Sequence, residues 1–176
     1  MNRARHAERR VAALLAASLL TASAVAAPDF DGVNDRQPDG STPLQWAVYE
    51  VDVPEVRRLI NAGADVSAAN DYGATPMGLA AEIGHTEMLG LLLDAGADPD
   101  APNGDGQTAL MLAARSGSVD IARALLERGA DVNARENWRG QTALIWAADS
   151  RFPAIVELLI ASVTGSSPGR WPCSDW

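Results

Sequence analysis

The chain has 176 residues and a formal charge of −9, and although 47% of it is hydrophobic only 5% is aromatic, so Ala and short aliphatics supply its apolar mass and a helical class is expected. An acidic chain repels phosphate backbones and anionic headgroups, so neither nucleic acid nor a membrane surface is an expected partner. The single cysteine, Cys173, rules out an intrachain disulfide.

The first expected element is a leader. Arg3, Arg5, Arg9 and Arg10 precede an apolar run from Val11 to Ala26 that closes on Ala24-Val25-Ala26. A basic segment, a short apolar segment and a small-residue site define a secretory signal peptide, here residues 1–26, too short for a spanning helix. The alternative is an uncleaved anchor. Arg9-Arg10 hints at twin-arginine export, but general secretion fits the flanking residues better. Cleavage would remove four Arg and one Glu and leave a charge of −12. The expected location is therefore exported, either periplasmic or secreted, with no membrane contact after cleavage.

Beyond the leader the chain repeats itself. Gly40-Ser-Thr-Pro-Leu-Gln-Trp-Ala47, Gly73-Ala-Thr-Pro-Met-Gly-Leu-Ala80, Gly106-Gln-Thr-Ala-Leu-Met-Leu-Ala113 and Gly140-Gln-Thr-Ala-Leu-Ile-Trp-Ala147 begin at steps of 33, 33 and 34 residues. A second marker keeps the same phase: Asn61-Ala-Gly-Ala-Asp-Val66, Asp94-Ala-Gly-Ala-Asp-Pro99 and Arg128-Gly-Ala-Asp-Val132. The Thr suits a helix N-cap and Pro suits the next position, which needs no amide donor. A short first helix follows, stopped by Gly84 and Gly117 in the second and third units, then a second helix with apolar residues at helical spacing, such as Val119, Ile121, Ala122, Leu125 and Leu126. Gly63, Gly96 and Gly129 supply left-handed caps. Neither helix buries its apolar face alone, so the units must stack.

These markers resemble the ankyrin repeat, over about residues 33–161. The resemblance implies an all-α solenoid of about four helix–turn–helix repeats with hairpin fingers. The expected division is a linker and stub of a preceding finger at 27–36, a repeat domain at 37–161 (37–69, 70–102, 103–136 and 137–161) and an irregular tail at 162–176. The sequence departs from the family pattern where His is usual, at Gln45, Gly78, Met111 and Ile145, so the usual Thr–His hydrogen bond is expected to be missing. The first unit has Val51-Asp52, and the last Arg151-Phe152, in place of Gly-His. The tail SVTGSSPGRWPCSDW lacks the expected Gly-Ala-Asp and has neither helical nor strand period, so a truncated or frame-shifted gene end is expected, with a functional tail as the alternative.

Chemistry is weakly represented. Once the leader is removed, the one histidine is His85, at the helix-start position of the pattern, with no matched nucleophile. Asp98 to Gly106 invites a calcium reading, but counted from Asp98 the sixth position is Asn103 and the twelfth Ala109, where a calcium loop needs Gly and Glu. One Cys and one mature His do not make a zinc site. No catalytic residue, cofactor or metal is therefore assigned, and an unrecognised carboxylate-dependent hydrolase is the remotest alternative.

Surface recognition remains. The resemblance implies partner contact at the finger tips and the exposed side of each first helix. The expected binding residues are Tyr49 in the first repeat, Asp71, Tyr72 and Glu82 in the second, Asp105, Gln107 and Arg115 in the third, and Trp138, Arg139, Gln141 and Asp149 in the fourth. Asp39, Ser41, Glu50, Ala74, Ile83, Ser116 and Ser150 flank them. Tyr72, Trp138 and Arg139 are residue types that dominate binding hot spots; the rival for Trp138 is folding back onto its neighbour. Trp46 and Trp146 are expected in the core. The expected function is a non-catalytic module that docks a protein partner; the alternative is an accessory or inhibitory subunit of a specific periplasmic enzyme. The 34-residue step implies one extra residue around Arg135–Asn137.

Overall fold

The computed structural model describes residues 31–164; the expected leader, part of the stub and most of the tail lie outside them. The described residues form eight helices and no strand. They fall into four pairs: α1 (Pro43–Tyr49) with α2 (Val53–Asn61), α3 (Pro76–Ile83) with α4 (Thr86–Asp94), α5 (Ala109–Ser116) with α6 (Val119–Glu127), and α7 (Ala143–Asp149) with α8 (Pro153–Thr164). Each first helix packs on the first helices of adjacent units and each second helix on adjacent second helices, giving two parallel layers. None of these helices is long and apolar enough to cross a membrane.

The 33-residue period explains the layers. Leu59, Leu92, Leu125 and Leu159 occupy one position in successive units, at steps of 33, 33 and 34, and all four are buried, forming a column through the outer layer. Full burial of a Leu side chain contributes about 1.5–3 kcal/mol, so this column is a main source of cohesion between repeats. Ala47, Ala80, Ala113 and Ala147 are likewise buried at one inner-helix position, where a small side chain lets the helices approach. The stack is open at its far end among the described residues. Ile145 is 40% exposed, while its counterpart Met111 is fully buried.

Capping follows the local sequence with two corrections. Thr42 and Gln45 cap each other: the Gln45 amide donates to Thr42 Oγ1 at 3.4 Å and the Thr42 amide to Gln45 Oε1 at 2.8 Å. Gln45 Nε2 also donates to the carbonyl of Ala68 near the end of its own repeat, at 3.1 Å, and to that of Ala74 in the next, at 2.6 Å. The glutamine therefore supplies the link expected to vanish with the histidine. The loss is real in the third repeat, where the Thr108 hydroxyl is buried with no partner.

The second correction concerns the last helix. The outer helices α2, α4 and α6 end near Gly63, Gly96 and Gly129, each with φ between 87° and 90°. The fourth unit has Val163 where the others have this glycine. Without a left-handed stop α8 continues to Thr164, three residues into the expected irregular tail, and Ser162 and Thr164 hydroxyls bond back to the carbonyls of Leu158 and Ile160. The remainder of that tail, 165–176, lies outside the described residues.

Left-handed backbone also ends the inner helices. Gly84 and Gly117 have φ of 83° and 81°, and the counterparts Val51 and Arg151 hold φ of 59° and 61° despite their side chains. The stack dictates this turn, since Asp52 N must reach the Ala47 carbonyl and Phe152 N the Ala147 carbonyl. A β-branched residue is strained there. Val51→Gly is therefore expected to raise stability by about 1 kcal/mol after the extra chain entropy of Gly is deducted. Urea unfolding checks this; a midpoint that falls would show that Val51 packing outweighs its backbone strain.

Candidate interaction surface

Each finger is a short hairpin closed by its own backbone. Gln37 N reaches Ser41 O at 2.9 Å, Asn70 N reaches Ala74 O at 3.0 Å and Asn103 N reaches Gln107 O at 2.9 Å. The asparagines brace the tips from inside. Asn70 Oδ1 accepts from the amides of Tyr72 and Ala74, and Asn103 Oδ1 from those of Asp105 and Gln107. Such side-chain turns satisfy backbone donors that would otherwise need water.

The fourth finger is one residue wider, with Glu136 N bonded to Gln141 O at 3.1 Å, and the brace changes with it. Glu136 is buried and its carboxylate accepts from Trp138 N at 2.6 Å, Arg139 N at 2.8 Å and Gln141 N at 2.9 Å. One more methylene lets Glu do across the wider tip what Asn does across the narrower ones. Burial pushes this carboxyl's pKa up, but the amides of Gln141, Trp138 and Arg139 and the Arg139 charge outweigh it and hold the group below its ordinary value. Sequence reasoning missed Glu136 as a structural residue. The signal was present, since Asn70, Asn103 and Glu136 lead their fingers in phase.

Backbone contacts stitch the fingers together. Asp71 N donates to Asp39 O at 2.9 Å and Asn137 N to Asp105 O at 3.0 Å. Asn137 thus keeps the 33-residue phase, which places the extra residue after it, in Trp138-Arg139, and not around Arg135–Asn137. Between the second and third fingers the chains approach so closely that a Cβ on Gly73 would stand 2.2 Å from Gly104 N. Arg36 and Arg135, also in phase, spend their guanidinium groups on finger carbonyls: Arg36 on Ala69 at 3.0 Å and Arg135 on Gly140 at 2.7 Å. In the stub, Asn34 accepts from Asp65 N and donates to Gly63 O, which ties this segment to the first repeat.

The expected contact residues fall into two groups. Asp71, Tyr72, Asp105, Trp138 and Arg139 are exposed on the stitched tips. Gln107, half-buried, accepts from Asn103 Nδ2 at 3.0 Å and holds the finger's base. Trp138 is 59% exposed and Tyr72 67%, so Trp138 does not fold back. Tyr49, Glu82, Arg115 and Asp149 lie on the inner helices, Tyr49 packed edge-on against Trp46 with ring centroids 6.0 Å apart. Glu82 and Arg115 pair with each other at 2.7 Å across adjacent repeats.

The Arg115 guanidinium also lies 5.5 Å from the centre of the Trp146 ring. Arg115, Gln141, Trp146, Asp149 and Ser150 line one shallow open recess. The expectation that Trp146 belongs to the core holds in part: its ring packs against the core cluster and also lines this recess. Its counterpart Leu112 is buried, whereas Trp146, in the last described repeat, is half-buried and keeps a ring face on the recess. Trp46 is likewise half-buried, not a core residue.

The residues once considered for other chemistry serve the scaffold. His85 caps α4, its Nδ1 accepting from Met88 N at 3.3 Å. Asp98 accepts from Asp100 N, and Asp100 from Asp131 N in the next repeat, so these two acids of the candidate calcium stretch spend carboxylate oxygens on backbone amides.

A family model of ankyrin repeats in three copies matches residues 10–103 and 84–169, beginning within the segment expected to be the leader. A comparison with curated proteins returns no match. With the repeat period, the paired helices, the stitched fingers and a family match over nearly all of its length, the chain is a member of the ankyrin-repeat family, whose repeats serve as protein-interaction modules.

Proposed function

We propose that the protein is a non-catalytic module that docks a protein partner along its finger tips and the adjoining inner-helix face, in an exported compartment. The observation that carries this reading is the exposure of Tyr72 and Trp138 on fingers whose backbone is already fully braced from within. Aromatic side chains held in water on a preformed support lose little entropy when a partner covers them. The export part rests on the basic and apolar pattern of residues 1–26.

The test is capture of a partner from periplasmic extract by the mature protein and by the Tyr72→Ala, Trp138→Ala, Arg139→Ala triple variant. The exposed positions predict unchanged helicity and a stability change within about 0.5 kcal/mol. Affinity is expected to fall at least about 100-fold, the loss of two or more hot-spot side chains. A folded triple variant that keeps full affinity places the interface elsewhere.

A further inference from the structure

Resting on that reading, we infer that the finger row recognises a cationic, arginine-bearing segment of its partner. The third residue of each hairpin is Asp39, Tyr72, Asp105 and Trp138, one per repeat at a constant step, so carboxylate and aromatic alternate along the tips. The backbone bonds between fingers hold this row in register.

Two features separate the row from an ordinary solvated acidic surface. First, most finger acids are occupied by their own backbone: Asp39 by Ser41, Asp65 by the Ser67 amide, Asp98 by that of Asp100, Asp131 by that of Asn133, and Glu136 by three amides. No hydrogen bond or ion pair among the described residues uses the carboxylate of Asp71 or Asp105, although both stand at the tips. Second, these free carboxylates flank Tyr72 and precede Trp138, whose rings are 67% and 59% exposed. A guanidinium satisfies both kinds of neighbour at once, pairing with a carboxylate while its plane lies on a ring. The same fold shows this mode internally, where Arg115 bonds Glu82 and lies over Trp146.

The wider field agrees in sign. Residues 31–164 hold 20 Asp and Glu against 9 Arg, a net −11 that draws a basic segment toward the surface. The finger arginines divide by position: Arg36 and Arg135 are spent on carbonyls, and Arg139 stands exposed beside Trp138 at the far end of the row. The cationic stretch therefore lies over fingers one to three and the near face of Trp138, with a neutral or acidic residue opposite Arg139.

The experiment titrates the full-length protein with three synthetic peptides of equal length, alternating Ser with Arg, Lys or Glu, following Trp fluorescence and peptide anisotropy. The Arg peptide is expected to bind, the Lys peptide several-fold more weakly and the Glu peptide not at all. Asp71→Asn with Asp105→Asn, and separately Tyr72→Leu with Trp138→Leu, should each weaken Arg-peptide binding about tenfold. Asp120→Asn with Glu127→Gln, the same charge change on exposed α6 positions, should leave it unchanged. Equal weakening by the α6 pair would reduce the effect to net charge and overturn the inference, as would equal binding of the Glu peptide or full affinity in either finger variant. If a natural partner is lost with the triple variant but binds the Asp71→Asn, Asp105→Asn protein normally, this inference fails while the docking function stands. A natural partner indifferent to the triple variant removes the docking function itself.

Discussion

Replacing Gly73 by Ala is expected to destabilise the array by about 3 kcal/mol, whereas the same change at Gly63 costs about 1 kcal/mol. Both residues hold left-handed backbone, with φ of 76° and 87°. A side chain there raises the energy of the native state by about 1–2 kcal/mol, partly offset by a less disordered unfolded chain. The difference lies in what the new carbon meets. At Gly63 nothing stands within 4 Å, while at Gly73 the Gly104 backbone nitrogen lies at 2.2 Å and its Cα at 2.7 Å. Backbone does not rotate out of the way as a side-chain end would, so relief requires the second and third fingers to separate. Thermal unfolding should show Gly73→Ala melting about 10 °C below the parent and Gly63→Ala only a few degrees below it. Equal shifts would mean that the fingers are not in contact in solution.

That contrast shows what the sequence discloses and what it hides. The repeat step, 33 residues and 34 at the last join, makes every unit report on the same position, so Leu59, Leu92, Leu125 and Leu159 are legible as one buried column. Periodicity is less informative where the surroundings differ. Trp146 and Leu112 share a position, yet a further described repeat covers Leu112 and none covers Trp146, so a residue expected in the core packs on it only in part and also lines the recess. Departures from the motif misled in the other direction. Gln45 looked like a lost hydrogen bond, but its amide reaches both Thr42 and the next repeat. Val51 stands where the motif has Gly, but the fold holds it in the glycine conformation regardless. A motif records which side chains are usual; the stack decides which backbone is required, and it tolerates strain where the required residue is missing. The exposed tips were legible because Tyr72 and Trp138 are bulky residues within polar hairpins. The division of finger acids into occupied and free depends on geometry that spacing alone does not reveal.

Glu136 supplies the second large effect. Glu136→Ala is expected to cost about 3 kcal/mol, because hydrogen bonds to a charged group contribute about 1.5–3 kcal/mol each and three amides lose their acceptor, with water at the finger surface recovering part of the loss. Glu136→Gln should cost nearly as much, since half of its amide is a donor facing other donors. Length makes the sharper test. Glu136→Asn alone leaves a brace too short for the wider hairpin, but Glu136→Asn combined with deletion of Arg139 restores the 33-residue geometry of the Asn70 and Asn103 fingers and should recover most of the stability. Acid provides an independent check. The folded carboxyl titrates below its unfolded value, so its contribution is complete above about pH 4.3 and disappears as pH falls through the lower folded value. The stability difference between parent and Glu136→Gln, measured by urea unfolding from about pH 7 down to about pH 3, should accordingly hold steady at first and then shrink in the acid range. A difference that stays constant to the acid limit would show that the negative charge of Glu136 does not brace the finger, and a double variant no more stable than Glu136→Asn would show that the width of the hairpin is not what the longer side chain serves.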